Sequence, residues 1–224
     1  MITQAFLDIL ESSRAAGWVL EPLAKQALGS AGLPVPDGRW VHDASAARAA
    51  ACALGFPLVA KVVSPAVLHK SDVGGVVVGL RDLAAVDDAF ARFAALPQFQ
   101  GMLVERMGRG VEMILGSRFD AQFGPLVVVG IGGTGVEIYQ DVAICIAPVT
   151  GAQATSALAS LKGARLLQGH RGQPPVDLAA LSRLVVAFSQ LVYELADRVE
   201  SVDLNPVLCS AEGVLIADAR IMLP

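Results

Sequence analysis

The chemistry in this chain is densest in the run Lys61-Val-Val-Ser-Pro-Ala-Val-Leu-His69-Lys70-Ser71-Asp72-Val-Gly74-Gly75-Val76. A histidine beside a lysine, with two glycine amides close behind, suits a phosphate. Neutral imidazole attacks phosphorus, and an ammonium with backbone N–H groups offsets charge on the moving oxygens. Asp72 is placed to orient the ring or to balance charge. On this reading His69, Lys70 and Asp72 are candidate catalytic residues. A solvated, charged loop with a bystander histidine fits His69-Lys70-Ser71-Asp72 as well. Lys61, alone in an apolar run, also fits a lysine snorkelling from a strand end. The loop by itself leaves both readings open.

A second constellation closes the chain. Glu200-Ser-Val-Asp203-Leu-Asn205-Pro206-Val207 and Val214-Leu-Ile-Ala-Asp218-Ala-Arg220 alternate with period two. A turn over 210–213 sets Cys209 against Val214 and Val207 against Ile216. Continued, the register sets Asn205 against Asp218 and Asp203 against Arg220, so all four polar residues share one face. Pro206 falls on the other face, which implies an edge or a bulge. Oxygen ligands from Asn205 and Asp218 suit Mg²⁺, which takes few protein ligands and fills its octahedron with water and phosphate. A cross-strand ion pair with a turn-forming Asn-Pro fits equally well.

Other patterns point away from common chemistries. Gly130-Ile-Gly-Gly-Thr-Gly135 satisfies G-x-G-x-x-G, but the residues after it, 136–147, read as β-rich where a dinucleotide fold needs a helix. A tight turn or a backbone wall against a ligand is the better reading. There is no phosphate-binding G-x-x-x-x-G-K-[ST], no G-x-S-x-G and no H-E-x-x-H. The three cysteines, Cys52, Cys145 and Cys209, form no CxxC pair and each lies in an apolar context, which predicts buried small hydrophobes rather than zinc ligands or disulfides.

The elements that must position these residues follow from composition and period. The chain has 224 residues, 54% hydrophobic and 17% charged, with a formal net charge of −4. Ample apolar surface excludes general disorder. The acidic balance and the 5% aromatic content argue against a nucleic-acid surface or an anionic membrane as partner. The longest uncharged stretch, 142–161, is broken by Pro148, Thr150, Gly151 and Gln153, so no membrane span is expected. With no basic, apolar leader at the N-terminus, the chain reads as cytoplasmic.

Residues 4–30 read as helical, broken near Gly17 and restarting at Glu21-Pro22. Helices are expected at 44–54, capped by Asp43 and stopped by Gly55, at 82–95, at 153–161 and at 177–196. Strands are expected at 39–41, 57–63, 73–80, 102–106, 111–116, 125–131, 137–139, 143–147, 200–208 and 214–219. The order is α+β, in two lobes that divide near 104–108. It suggests a helical segment at 1–35, a first lobe at 36–106 and a second at 107–224.

Together these pieces resemble the ATP-grasp family, and within it the β subunits of ADP-forming acyl-CoA synthetases, relatives of the succinyl-CoA synthetase β chain. The resemblance runs through Glu21-Pro22 with Ala24-Lys25, Gly32-Leu33-Pro34, the Lys61 and His69-Lys70-Ser71-Asp72 segments, Gly110-Val-Glu112, and Phe119-Asp120 with Gln122-Phe123-Gly124-Pro125. It continues through Gly130-Ile-Gly-Gly, Asp141-Val-Ala, Gly169-His-Arg-Gly172, Asp203-Leu-Asn205-Pro206 and Asp218-Ala-Arg220. It implies an ATP-grasp fold of two α/β lobes with ATP or ADP between them. Val104, Glu105 and Met107 would lie on the strand that reads the adenine edge, Glu112 close to the nucleotide, and Lys61 on a phosphate. Asn205 and Asp218 would hold Mg²⁺. His69 would carry phosphate between ADP and an acyl phosphate made on a CoA-binding α subunit, in an α2β2 assembly.

Three departures stand out. Cys145 replaces a commoner arginine, Glu105 a commoner glutamine, and His170 an aromatic residue. The two lobes and the N-terminal helices use up the length, so the CoA site and the carboxylate pocket are expected on the partner. Two rival readings are an ATP-grasp ligase joining a carboxylate to an amine, which would need no relay histidine, and a non-catalytic nucleotide-binding module, for which Cys145 is the main support.

Overall fold

The computed structural model describes residues 2–133, 140–169, 172 and 174–224. The chain divides into two compact units. The larger contains Met1–Val19, Leu23–Val35 and Arg109–Pro224, and the smaller Leu20–Pro22 and Pro36–Gly108. Most of the segment expected to stand alone at 1–35 therefore belongs with the larger unit.

In the small unit, four strands form an antiparallel sheet in the order β2 (Gly38–Val41), β5 (Gly101–Arg106), β3 (Leu58–Val63), β4 (Val76–Leu80). Helices α3 (Ala44–Leu54) and α4 (Leu83–Ala94) are capped as their sequences demand: Asp43 accepts the Ala46 N–H and Asp82 the Ala85 N–H. Ala47, Ala51 and Leu54 of α3 and Val86, Ala89 and Phe93 of α4 bury against Leu58, Ala60, Val62, Met102 and Val104. Period two then sends Lys61 and Glu105 to the other face of the sheet. A short 3₁₀ turn, Lys70–Val73, delays β4 to Val76, three residues later than its apolar run suggests.

The large unit is a seven-stranded sheet. Its order is β1 (Trp18–Val19), β11 (Arg220–Met222), β9 (Ser201–Ser210), β6 (Val111–Asp120), β7 (Gly124–Ile131), β8 (Val142–Ile146), with β10 (Gly213–Ile216) also paired to β9. Among the described residues this unit also holds helix α1 (Gln4–Ser13), most of α2 (Glu21–Ser30), and helices α5 (Gly151–Ser160), α6 (Ala164–Leu167) and α7 (Leu178–Glu194). Phe6, Leu28, Leu158, Leu184 and Phe188 pack into one core with Met113, Leu115, Val127, Val202, Leu204 and Val207. Helix α5 starts two residues before its expected position because Thr150 and Gln153 form a reciprocal capping box. The strand expected at 137–139 lies outside the described residues, as does part of the sequel used to set aside the dinucleotide motif. Among the described residues no helix is long and apolar enough to cross a membrane.

The cysteines do not behave alike. Cys209 is fully buried on β9 and Cys145 is half-buried on β8, but Cys52 is exposed on α3, which corrects the expectation that all three are buried. Ala50, Ala51 and Leu54 already fill the core face of that helix. Burial pushes the Cys209 thiol up to about 12, so almost none of it is thiolate at pH 8. A disulfide reagent at pH 8 should label Cys52 in the native protein and reach Cys209 only on addition of denaturant. Labelling of both at one native rate would contradict the buried placement of β9.

Candidate functional site

Each unit carries its own share of the candidate residues. In the small unit Lys61 is 6% exposed and does not snorkel. Its ammonium lies 2.6 Å from Glu21 Oε1 and 3.1 Å from Glu105 Oε2. The other oxygen of Glu21 lies 2.8 Å from Lys70 Nζ. Two ammonium and two carboxylate groups therefore share one dry pocket, and none of the four side chains is more than 13% exposed. Glu21 opens α2, where an acidic residue suits the helix dipole. That local role gives no hint of its two lysine partners.

The His69 segment leaves β3 and returns at β4. Ser64 Oγ donates to the Pro97 carbonyl at 2.6 Å and Val67 is buried, which fixes the departing end. At the returning end Gly74 has φ +65°, a conformation that favours glycine. The Gly75 N–H donates to the Lys70 carbonyl at 2.7 Å, and the Gly75 carbonyl accepts the Val62 N–H at 2.8 Å. A Cβ at Gly75 would meet Val62 Cγ1 at 2.5 Å, so this close approach requires glycine. His69, Ser71 and Asp72 are exposed. Asp72 donates its backbone N–H to the His69 carbonyl at 3.3 Å.

Strand β5 lies between β2 and β3, and its antiparallel ladders on both sides take up the backbone of Val104 and Glu105. The Glu105 side chain lies 3.1 Å from the Lys61 ammonium. The Arg106 N–H donates to the Asp37 carbonyl and the Met107 N–H to the Pro57 carbonyl. Met107 is the residue of this stretch that lies past the paired strand.

In the large unit, β9 slips against β6. Met113 pairs with Val207 but Leu115 with Leu204, so Asn205 and Pro206 together oppose Ile114. This is the bulge that Pro206 implies. Burial alternates as Val202, Leu204, then Val207, Cys209, which leaves Asn205 exposed on the face turned away from the core. Glu112, exposed on β6, shares that face.

The hairpin register is as expected at Cys209↔Val214, Val207↔Ile216 and Asp203↔Arg220. The ladder lapses at 217–219, where the Ala217 and Asp218 N–H groups both turn to the Pro206 carbonyl. Asp218 is thus brought beside the bulge by a kink rather than by strict cross-strand pairing. The buried Lys25 ammonium donates to the Ala217 carbonyl at 2.6 Å and holds that kink. Burial pushes the Asp203 carboxyl above its ordinary value, and Arg220, at 3.4 Å, pulls it partly back.

Asn205 and Asp218 offer the hard oxygen donors that Mg²⁺ prefers. Among the described residues no group of three or more His, Cys, Asp or Glu could hold a metal. The Gly132 N–H donates to the Glu112 carbonyl at 2.7 Å, and a Cβ there would lie 2.9 Å from that backbone. The described part of the glycine run is therefore a wall against β6. Residues that carry the resemblance without an expected site role also matter here. Glu21 and Lys25 are two, and Asp141 is a third: its carboxylate accepts the N–H groups of Lys162 and Gly163 at 2.8 and 2.7 Å. His170 and Arg171 lie outside the described residues.

Residues 11–223 match the ATP-grasp domain family, and the chain belongs to it. It is 33% identical, over 96% of its own length and 97% of the other, to the β subunit of acetate–CoA ligase (ADP-forming) I of Pyrococcus furiosus. It is 38% identical to the 4-hydroxybutyrate–CoA ligase (ADP-forming) of Nitrosopumilus maritimus. There the match takes in 92% of this chain but spans 31% of the ligase. Acetyl-coenzyme A synthetase 1 of Ca. Korarchaeum cryptofilum, solved with coenzyme A and Mg-AMPPCP and with its phosphohistidine segment pointing towards the nucleotide binding site, superposes with a TM-score of 0.87 at 35% identity. That match covers 98% of this chain and 100% of that one.

The buried charges give a stability test. Lys61→Met would remove the ammonium that two buried carboxylates share, and should cost about 3–5 kcal/mol. Arg48→Ala, which breaks the exposed Arg48–Asp87 pair, should cost under about 1 kcal/mol. Urea unfolding of the two variants should separate them clearly, and equal midpoints would show that the Lys61 cluster is not dry.

Proposed function

We propose that this chain is the nucleotide-binding, phosphoryl-transfer part of an ADP-forming acid–CoA ligase, interconverting acyl-CoA, ADP and phosphate with carboxylate, CoA and ATP. The observation that carries the reading is His69. It is exposed on a segment whose next residue is tied to the same carboxylate as Lys61. The chain is also similar throughout to a β subunit of such an enzyme.

In the ATP-consuming direction the neutral His69 ring attacks the γ-phosphorus. A P–N bond forms, the bridging P–O bond breaks, and ADP leaves with the electron pair. In the ATP-forming direction a terminal oxygen of ADP takes the phosphoryl group back. Lys61 and Lys70 offset charge on the phosphate oxygens, and Asp72 orients the ring. The small unit offers Met107 to the adenine. The large unit offers Glu112 to the nucleotide and Asn205 and Asp218 to Mg²⁺, which supplies charge neutralisation on the phosphates.

CoA and the carboxylate, or its acyl phosphate, bind elsewhere, on a CoA-binding α partner with two copies of each chain. The similarity of this whole chain to a free-standing β subunit supports that division. The two lobes are proposed to meet the nucleotide with residues 36–106 and 107–224, in the cytoplasm.

His69→Asn should abolish acid-labile, base-stable label from γ-labelled ATP, while Ser71→Ala should retain it. Label surviving in the His69 variant would sink the relay. Asp218→Ala should weaken ADP binding by tenfold or more with Mg²⁺ and by much less in EDTA, about what one lost charged ligand is worth. Calorimetry giving equal losses in the two buffers would remove Asp218 from the metal site.

A further inference from the structure

We infer that Glu21 is a positioning residue for His69: one carboxylate holds the His69 segment through Lys70 and, with its other oxygen, holds the phosphate-directed lysine Lys61. This rests on the reading of His69 as a phosphate acceptor. The argument begins with what fastens the segment. Val67 and Gly75 are buried at its two ends, and of residues 68–74 Lys70 alone is withdrawn from solvent. Leu68 and Val73, which flank the reactive stretch, are 41% and 47% exposed and contribute little packing. The stretch is therefore held down by a side chain rather than by an apolar contact, and that side chain ends on Glu21 Oε2 at 2.8 Å.

The chemistry of the tie is specific. A carboxylate bridging two ammonium groups, at 2.6 Å to Lys61 and 2.8 Å to Lys70, presents two anionic oxygens to two cations. A phosphate presents the same pattern. Glu21 thus keeps both ammonium groups close together and aimed at one point while the site waits for a phosphate. It also fixes the residue after His69 relative to Lys61. Without it, Lys61 would keep Glu105, 3.1 Å away, whereas Lys70 would lose its contact with Glu21.

The test uses the full chain and two readouts. Hydrogen exchange should rise about tenfold or more at amides 68–74 in Glu21→Gln and in Lys70→Met, as expected for loss of one buried charged contact. The double variant should exchange no faster than either single one, with β3 and β5 unchanged. Lys70→Met leaves Glu21 its Lys61 partner, so it serves if Glu21→Gln folds poorly. In the second readout, the rate of acid-labile His69 labelling at saturating MgATP should fall at least about tenfold in Glu21→Gln. The MgATP concentration for half-maximal labelling should change less, and Glu21→Asp should recover most of the rate. Unchanged exchange at 68–74, additive effects, or protection lost evenly across the sheet would overturn the role of Glu21. If the unaltered protein takes no label, the relay reading fails, and the exchange experiment still decides whether Glu21 holds the segment.

Discussion

A buried ammonium must bring its counter-charge with it, and in this protein that requirement shapes the small unit. Lys61 sits mid-strand with Val62 and Val63 beside it, in a place where an unpaired charge would cost several kcal/mol. Glu105 reaches it from the adjacent strand by sheet register, since both residues face the same side. One carboxylate between two lysines would leave net positive charge in a dry site. Glu21 completes the balance from 40 residues away in sequence. Leu20–Pro22 group with residues 36–108, while the rest of α2 groups with the other unit.

The large unit solves a related problem with the same device. Asn205 and Asp218 must stand clear of a sheet whose regular pairing would commit the backbone around them. The bulge at Asn205-Pro206 interrupts β9, and the kink at 217–219 interrupts the return strand. A kink exposes carbonyls that the ladder no longer uses, and a buried cation on one of them is a strong way to hold it. Lys25 does this on Ala217. In the large unit a lysine that reads as an ordinary helix residue thus fixes the backbone next to the polar residues that the family resemblance singles out.

What the sequence makes legible follows from the range of each interaction. Helix caps act over three residues, so Asp43 marks its helix correctly. A tight turn propagates register, so the pairing of Val207 with Ile216 and of Asp203 with Arg220 can be written down in advance. Period two does not reveal where a ladder stops, and so the lapse at 217–219 is not legible. Nor does it show what lies across from an outward lysine, which is why Lys61 reads as a snorkelling side chain when it is enclosed. Glu21, Lys25 and Asp141 each act over 20 residues or more, and their local contexts favour commonplace roles. Likewise, only the sheet order shows that β5 has neighbours on both sides.

The same reasoning weighs the argument for a degenerate, non-catalytic module, which leaned on Cys145 in place of an arginine. On β8 the exposed side chains are Val142, Ile144 and Ile146, whereas Ala143 and Cys145 pack against the core, with Cys145 opposite the fully buried Val127. Burial raises the Cys145 thiol above its ordinary value, which agrees with an apolar neighbourhood. Glu112 and Asn205 lie on the opposite face of the sheet. A residue on the core side of an edge strand acts through packing, and replacing a long cation by a small thiol there removes a desolvation cost without touching that face. The substitution therefore counts as an adjustment of the core, and the residues proposed to handle phosphate and Mg²⁺ all remain in this chain.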